Sequence, residues 1–223
     1  MRWALLATCA AAALASAAPA GATNECRALK VCIPVAGPWV LANGPEETQY
    51  QLACPRGTIV AGLDAELTNR AIDVVFRATL GSPVNPGVST SHAAVFLARL
   101  AAGHDPAATF RPHLGCIPTS GGGQRVPTVY APGRPTVRRV TEVPLRAGTI
   151  RFAASCGTGE HLVSASHAIA FYSPAPPAAT AAADVHVARA LHGGSVRVVA
   201  RAGPFAVEAR AVVQLDLVCA GGG

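Results

Sequence analysis

Two pairs of cysteines set the frame of this chain. Cys54 and Cys116 stand 62 residues apart, Cys156 and Cys219 stand 63 apart, and the sequence around the first member of each pair aligns without a gap. Gln49-Tyr50-Gln51-Leu52-Ala53-Cys54-Pro55-Arg56-Gly57-Thr58-Ile59-Val60-Ala61-Gly62 runs against Arg151-Phe152-Ala153-Ala154-Ser155-Cys156-Gly157-Thr158-Gly159-Glu160-His161-Leu162-Val163-Ser164. Each second cysteine closes an extended run, Phe110 to Cys116 and Val213 to Cys219. Self-similarity of this kind is the signature of a repeated structural unit. It pairs Cys54 with Cys116 and Cys156 with Cys219, leaving Cys26 with Cys32, out of the many connectivities six cysteines allow.

Period two predicts the strands. Ile59, Ala61, Leu63, Ala65 and Leu67 alternate with Asp64 and Glu66, and Ile72, Val74, Phe76, Ala78 and Leu80 alternate with Asp73, Arg77 and Thr79. Val207, Ala209, Ala211, Val213, Leu215, Leu217 and Cys219 alternate with Glu208, Arg210, Val212, Gln214, Asp216 and Val218, which puts the cysteine on a buried face. Cys-x-x-Gly at 54–57 and at 156–159 sits between strands, where glycine supplies the positive φ of a tight turn; a redox or metal motif would need Cys-x-x-Cys. Proline-rich loops at 81–87 and 173–177 punctuate both units. On propensity alone, Ser91 to Ala102 and Ala178 to Leu191 could be helices, but the repeat sets His92 to Leu100 against the strand-like Ser195 to Arg201.

The expected fold is all-β, two tandem disulfide-stapled β-sandwich units that are immunoglobulin-like in size and derive from an internal duplication. The immunoglobulin tryptophan between the cysteines is missing. The first unit spans 23–118, a basic Gly- and Pro-containing inter-unit segment spans 119–145, and the second unit spans 146–223.

Residues 1–22 read as a cleavable signal peptide. Arg2 precedes an apolar stretch from Trp3 to Ala15, followed by small-x-small cleavage patterns such as Ala15-Ser16-Ala17 and Ala20-Gly21-Ala22. The stretch is too short to span a bilayer as a helix, which takes roughly 20 residues. A lipid-attachment box at Leu6-Ala7-Thr8-Cys9 would leave too little chain ahead of Cys9 for a charged region and an apolar core. Removal of this segment leaves six of the seven cysteines, an even number that suits an exported, oxidised chain. No later segment is apolar for long enough to cross a membrane. The stretch Cys54-Pro55-Arg56-Gly57-Thr58-Ile59-Val60-Ala61-Gly62 resembles a Cys-Pro-x-Gly-x-x-Val-x-Gly pattern of secreted bacterial proteins of uncharacterised function. The resemblance covers about ten residues, with Gly157 and Ser164 replacing the proline and the last glycine in the second unit; it implies secretion and a bacterial origin, and no activity.

No motif carries catalysis. Gly-x-Ser-x-Gly and His-Glu-x-x-His are absent, and Ser166 and His167 are strand neighbours that point to opposite faces. Asp64 and Glu66 share a strand face at glycosidase-like spacing, but a solvated face is the simpler reading. His161, His167, His186 and His192 are too spread to converge on a metal, and no cofactor is expected. Charge is more informative. The formal net charge is +6, and 121–151 holds Arg125, Arg134, Arg138, Arg139, Arg146 and Arg151 against one acid, Glu142. That grouping suits an anionic envelope polymer or another extracellular protein; without stacking aromatics it does not suit nucleic acid. The expectation is a secreted or envelope-associated, non-enzymatic binding or structural protein. The alternatives are a hydrolase whose site is invisible as a motif, and an interaction or inhibitor module using the proline-rich loops.

Overall fold

The computed structural model describes residues 23–42, 46–77, 92–101, 103, 105–119 and 136–221. The three disulfides are Cys26–Cys32, Cys54–Cys116 and Cys156–Cys219, the pairing that the repeat predicts. The described chain is almost entirely β. In the first half lie β1 (Ile33–Ala36), β2 (Trp39–Leu41), β3 (Thr48–Ala53), β4 (Thr58–Leu67), β5 (Ile72–Arg77), β6 (Ala93–Leu100) and β7 (Thr109–Pro118). In the second lie β8 (Thr136–Pro144), β9 (Gly148–Ser155), β10 (Glu160–Phe171), α1 (Ala179–Ala183), β11 (Val185–His192), β12 (Ser195–Ala202), α2 (Pro204–Glu208) and β13 (Ala211–Gly221).

The pairing order recurs between the halves. β3-β6-β5 form one three-stranded sheet, and β9-β12-β11 form another in the same order. β4 and β2 flank β7 as β10 and β8 flank β13. Each Cys-x-x-Gly is a turn with positive φ at its glycine, Gly57 and Gly159. The turns close with like bonds, Thr58 N–H to the Pro55 carbonyl and Glu160 N–H to the Gly157 carbonyl, both 3.1 Å. β4 and β10 each carry a bulge two turns of the pleat later, between Val60 and Gly62 and between Leu162 and Ser164.

The halves are not closed off from each other. β2 pairs with β7 on one side and, through Val40 with Ala170 and Trp39 with Phe171, with β10 on the other, so one seven-stranded sheet runs through both. Side chains on β2 alternate between its two faces. Val40 and Ala42 join Tyr50, Phe96, Phe110 and Leu114 beneath β3-β6-β5, whereas Trp39 and Leu41 join Phe171, Ala200 and Val213 beneath β9-β12-β11. The two smaller sheets therefore cover opposite faces of the large one.

Three expectations need correction. The strand foreseen from Val207 begins only at Ala211, because Pro204 at the helix start and the Asp184 carboxylate, which accepts from the Ala206 N–H at 3.3 Å, set up α2 instead. Burial on both faces of β13 then overrides simple alternation: Gln214 and Asp216 are as buried as Leu215 and Leu217. In β4 the bulge shifts the pleat, so Val60 and Leu63, not Ile59, reach the core. Gly62 is fixed by contact: a Cβ there would stand 1.7 Å from the Glu25 carbonyl oxygen. The alanine-rich segment 178–191 splits into the short α1 and the strand β11, while 93–100 is the strand that the repeat implied. Ala78, Leu80 and the loop 81–87 lie outside the described residues.

Candidate functional site

The arginines grouped by the sequence are dealt out by the strands. Arg125 and Arg134 lie outside the described residues. Arg138 and Arg139 are neighbours on β8 and so point to opposite faces. Arg138 is drawn under β3, where it bonds the Asp216 carboxylate and, at 3.2 Å, the Gln49 amide oxygen. Asp216 is 1% exposed and its Oδ1 has no hydrogen-bond partner among the described residues; burial pushes its carboxyl up to about 6 against the pull of Arg138. Arg139 forks onto Glu160 at 2.7 and 2.9 Å, and Glu160 also accepts from the Gly157 N–H. The Arg139 bond and that N–H hold the Glu160 carboxyl below its ordinary range. Glu142, the one acid of the basic segment, receives the hydroxyls of Tyr50 and Tyr172 at 3.0 and 2.9 Å. Burial above all keeps Tyr50 protonated. Arg138 with Gln49 and Glu142 with Tyr50 clamp the first half to the second; Gln214 adds to the clamp by bonding the backbone N–H and carbonyl of Gln51 at 2.7 and 3.0 Å. Arg146, in the β8–β9 turn, and Arg151, on β9, are exposed.

A cleft of about 600 Å³ opens beside β4, between Trp39, Arg111, Asp64, Glu66 and the loop Pro174 to Pro176. Asp64 and Glu66 do share it, but both are engaged: Asp64 accepts from the Asn24 N–H at 2.6 Å, and Glu66 lies 3.5 Å from His113 Nε2 and 3.9 Å from Arg111. Arg111 in turn lies over the Trp39 ring at 5.6 Å and donates to the Gly37 carbonyl. His113 is 6% exposed, enclosed between Glu66 and Glu25, and does not reach the cleft. A second, apolar groove of about 420 Å³ lies across the same proline loop, against Phe205 and Ala181. Of the four histidines that raised a metal, His161 and His167 sit on β10, where Arg189 contacts the His167 ring, and His186 and His192 occupy opposite ends of β11. Among the described residues the group with metal-ligand spacing, Cys156, Glu160 and Cys219, contains a disulfide and so offers no thiolates. No helix among them is long and apolar enough to cross a membrane.

What the sequence window did not reveal is the outer face of β9-β12-β11. Val196, Val198, Ala200 and Ala202 of β12 are buried and Arg197, Val199 and Arg201 are exposed. Register places Arg151 opposite Val199, and Thr149 and His186 opposite Arg201. The three strands hold no Asp or Glu. Arg201 donates to the Thr149 hydroxyl at 3.3 Å and the Ser195 hydroxyl to the His192 carbonyl at 2.8 Å; among the described residues Arg151 and Arg197 have no ion-pair partner. The alternation of β12 was visible in the sequence, but the pairing that adds Arg151 and His186 was not. Compared with known proteins, the chain matches no family profile and no curated relative.

Proposed function

We propose that this chain is a secreted, non-enzymatic binding protein of the cell envelope, built by internal duplication and docked through positive charge. One observation carries the reading: Glu142, Glu160, Asp184 and Asp216 of the second half are taken up in structural contacts, while β9, β11 and β12 present arginines and histidines with no acid among them. Such a surface attracts anions and is weak at holding anything else. The repeated strand order, the two bulges and the two long staples support duplication. Three disulfides fit an oxidising compartment.

The test is retention of the purified mature protein on isolated envelopes across a salt series, with a hydrolase substrate panel in parallel. Retention that falls steeply with salt, without turnover, is expected. Turnover on the panel, or no retention even at low salt, overturns the proposal.

A further inference from the structure

The molecule contains its own control for the cationic face. Aligning the two smaller sheets by their register sets β3, β6 and β5 on β9, β12 and β11, so each outward position of one sheet has a counterpart in the other. Arg99 corresponds to Arg201, Leu97 to Val199, Val95 to Arg197, Gln49 to Arg151, Asp73 to His186 and Arg77 to Ala190; Val95 and Leu97 are buried and Gln49 bonds Arg138, whereas Arg151, Arg197 and Val199 are exposed. In the first half, Asp73 lies across from Arg99 and pairs with it at 3.7 Å. In the second half that acid is a histidine, so Arg201 loses its counter-ion, and arginines replace a valine and a glutamine around it. The inward positions of the central strands show no such change: Ala94, Phe96, Ala98 and Leu100 match Val196, Val198, Ala200 and Ala202, apolar throughout, although on the edge strand Arg189 stands where the first half has Phe76. Along the two central strands the inward side is apolar in both halves, whereas the other side carries Arg77, Arg99 and Asp73 in the first half, a formal net of +1, and Arg151, Arg197 and Arg201 in the second, a net of +3.

From this, and resting on the envelope-binding reading above, we infer that the outer face of β9-β12-β11 is a docking surface for a linear, phosphate-bearing polymer, held by Arg151, Arg197 and Arg201 with His186 alongside. Arg197 and Arg201 lie roughly 13 Å apart along β12, and Arg151 stands beside the midpoint on the next strand, about 5 Å across. The floor between them is made of Val199, Ala153, Ala188 and Ala190, short side chains over which an extended chain can lie while the guanidinium forks reach its oxygens. The outward positions carry no Phe, Tyr, Trp, Asn or Gln. The face therefore lacks the large rings that stack on sugars and the aromatic anchors that seat a protein in a lipid interface. Recognition is left to charge, repeated along a backbone.

The experiment measures binding of the full mature protein to inorganic polyphosphate, with polygalacturonate and vesicles of mixed phosphatidylglycerol and phosphatidylcholine as further arms. Two sets of variants accompany it: Arg151→Gln with Arg197→Gln and Arg201→Gln, and the single His186→Asp, which rebuilds the cross-strand ion pair of the first half and so should leave the fold intact. Arg99→Gln is the matched control. Polyphosphate binding weakened at least tenfold in the triple variant, with a salt slope shallower by about 2 to 3, weakened several-fold by His186→Asp and unchanged by Arg99→Gln, supports the inference. Equal binding by wild type and triple variant overturns the face while leaving envelope binding standing. Preference for polygalacturonate or vesicles overturns the phosphate polymer. A wild type that binds neither polymer, vesicles nor envelopes sinks the functional reading with it.

Discussion

If the two long disulfides are equivalent parts of two equivalent units, their removal must cost the same. Each ties the turn ahead of β4 or β10 to the strand β7 or β13 that it pairs with, across sequence separations of 62 and 63. On the loop-entropy account, closing such a loop in the unfolded chain is worth roughly 4 kcal/mol, against about 2 kcal/mol for the separation of 6 between Cys26 and Cys32. Replacing Cys54 and Cys116 by Ala, or Cys156 and Cys219 by Ala, should therefore lower stability alike and by about twice the effect of removing Cys26 and Cys32. Urea denaturation followed by Trp39 fluorescence is the assay. Trp39 is the one tryptophan after residue 22, and at the β2–β10 junction, 6% exposed, it reports on both halves at once. A difference above about 2 kcal/mol between the two long staples, or a short staple as costly as either, would refute the equivalence.

Three further outcomes follow from local contacts. Gly62→Ala drives a Cβ into the Glu25 backbone, which cannot yield as a side-chain tip can; destabilisation of about 1 to 3 kcal/mol and faster tryptic cleavage after Arg27 or Lys30 should accompany it, and unchanged cleavage counts against the contact. Gln214→Ala leaves the Gln51 backbone without its two bonds, so a loss of roughly 1 to 3 kcal/mol in denaturant is expected, and a loss below about 0.5 would mean that water replaces it. Asp216 binds its proton more tightly folded than unfolded, since burial raises it from 3.8 to about 6. Its ionisation thus withdraws stability as pH rises through that window, and wild type should gain up to about 3 kcal/mol on Asp216→Asn between pH 7 and 4; parallel pH curves for the two proteins exclude this.

Strand existence and cysteine pairing were legible because both rest on local pattern and on the repeat. Gly57 and Gly159 sit at positive φ as the Cys-x-x-Gly reading requires. What escaped was whatever depends on a third element. Val207 to Arg210 alternates as well as the strand that follows, yet Pro204 and the distant Asp184 set up a helix that ends at Glu208 and a turn through Arg210. Ile59 has the right phase, but contact of Gly62 with the Glu25 backbone accompanies a bulge that turns it outward. The charge cluster failed for a related reason: contiguity in sequence gathered Arg138, Arg139 and Arg151, whereas pairing sends the first under β3, the second to Glu160 and the third to another sheet. Arg151 finds its neighbours in Arg197 and Arg201, about fifty residues on.

Opposite-face packing also accounts for the cleft beside Trp39 without giving it a ligand. Register makes Arg111 and His113 of β7 the counterparts of Gln214 and Asp216 of β13, on the side of each strand away from its own smaller sheet. In the second half that side is covered by β3, and the polar groups there bond Gln51 and Arg138. In the first half no strand among the described residues lies over it; the segment from Thr23 to Cys32 seals His113 through Glu25, and beside it lies the cleft. The offset that joins the halves thus creates a hollow as a by-product of stacking, and its charged groups answer one another. The outer face of β9-β12-β11 differs in that Arg151, Arg197 and Arg201 meet no acid within the described residues, which leaves their charge open to a partner.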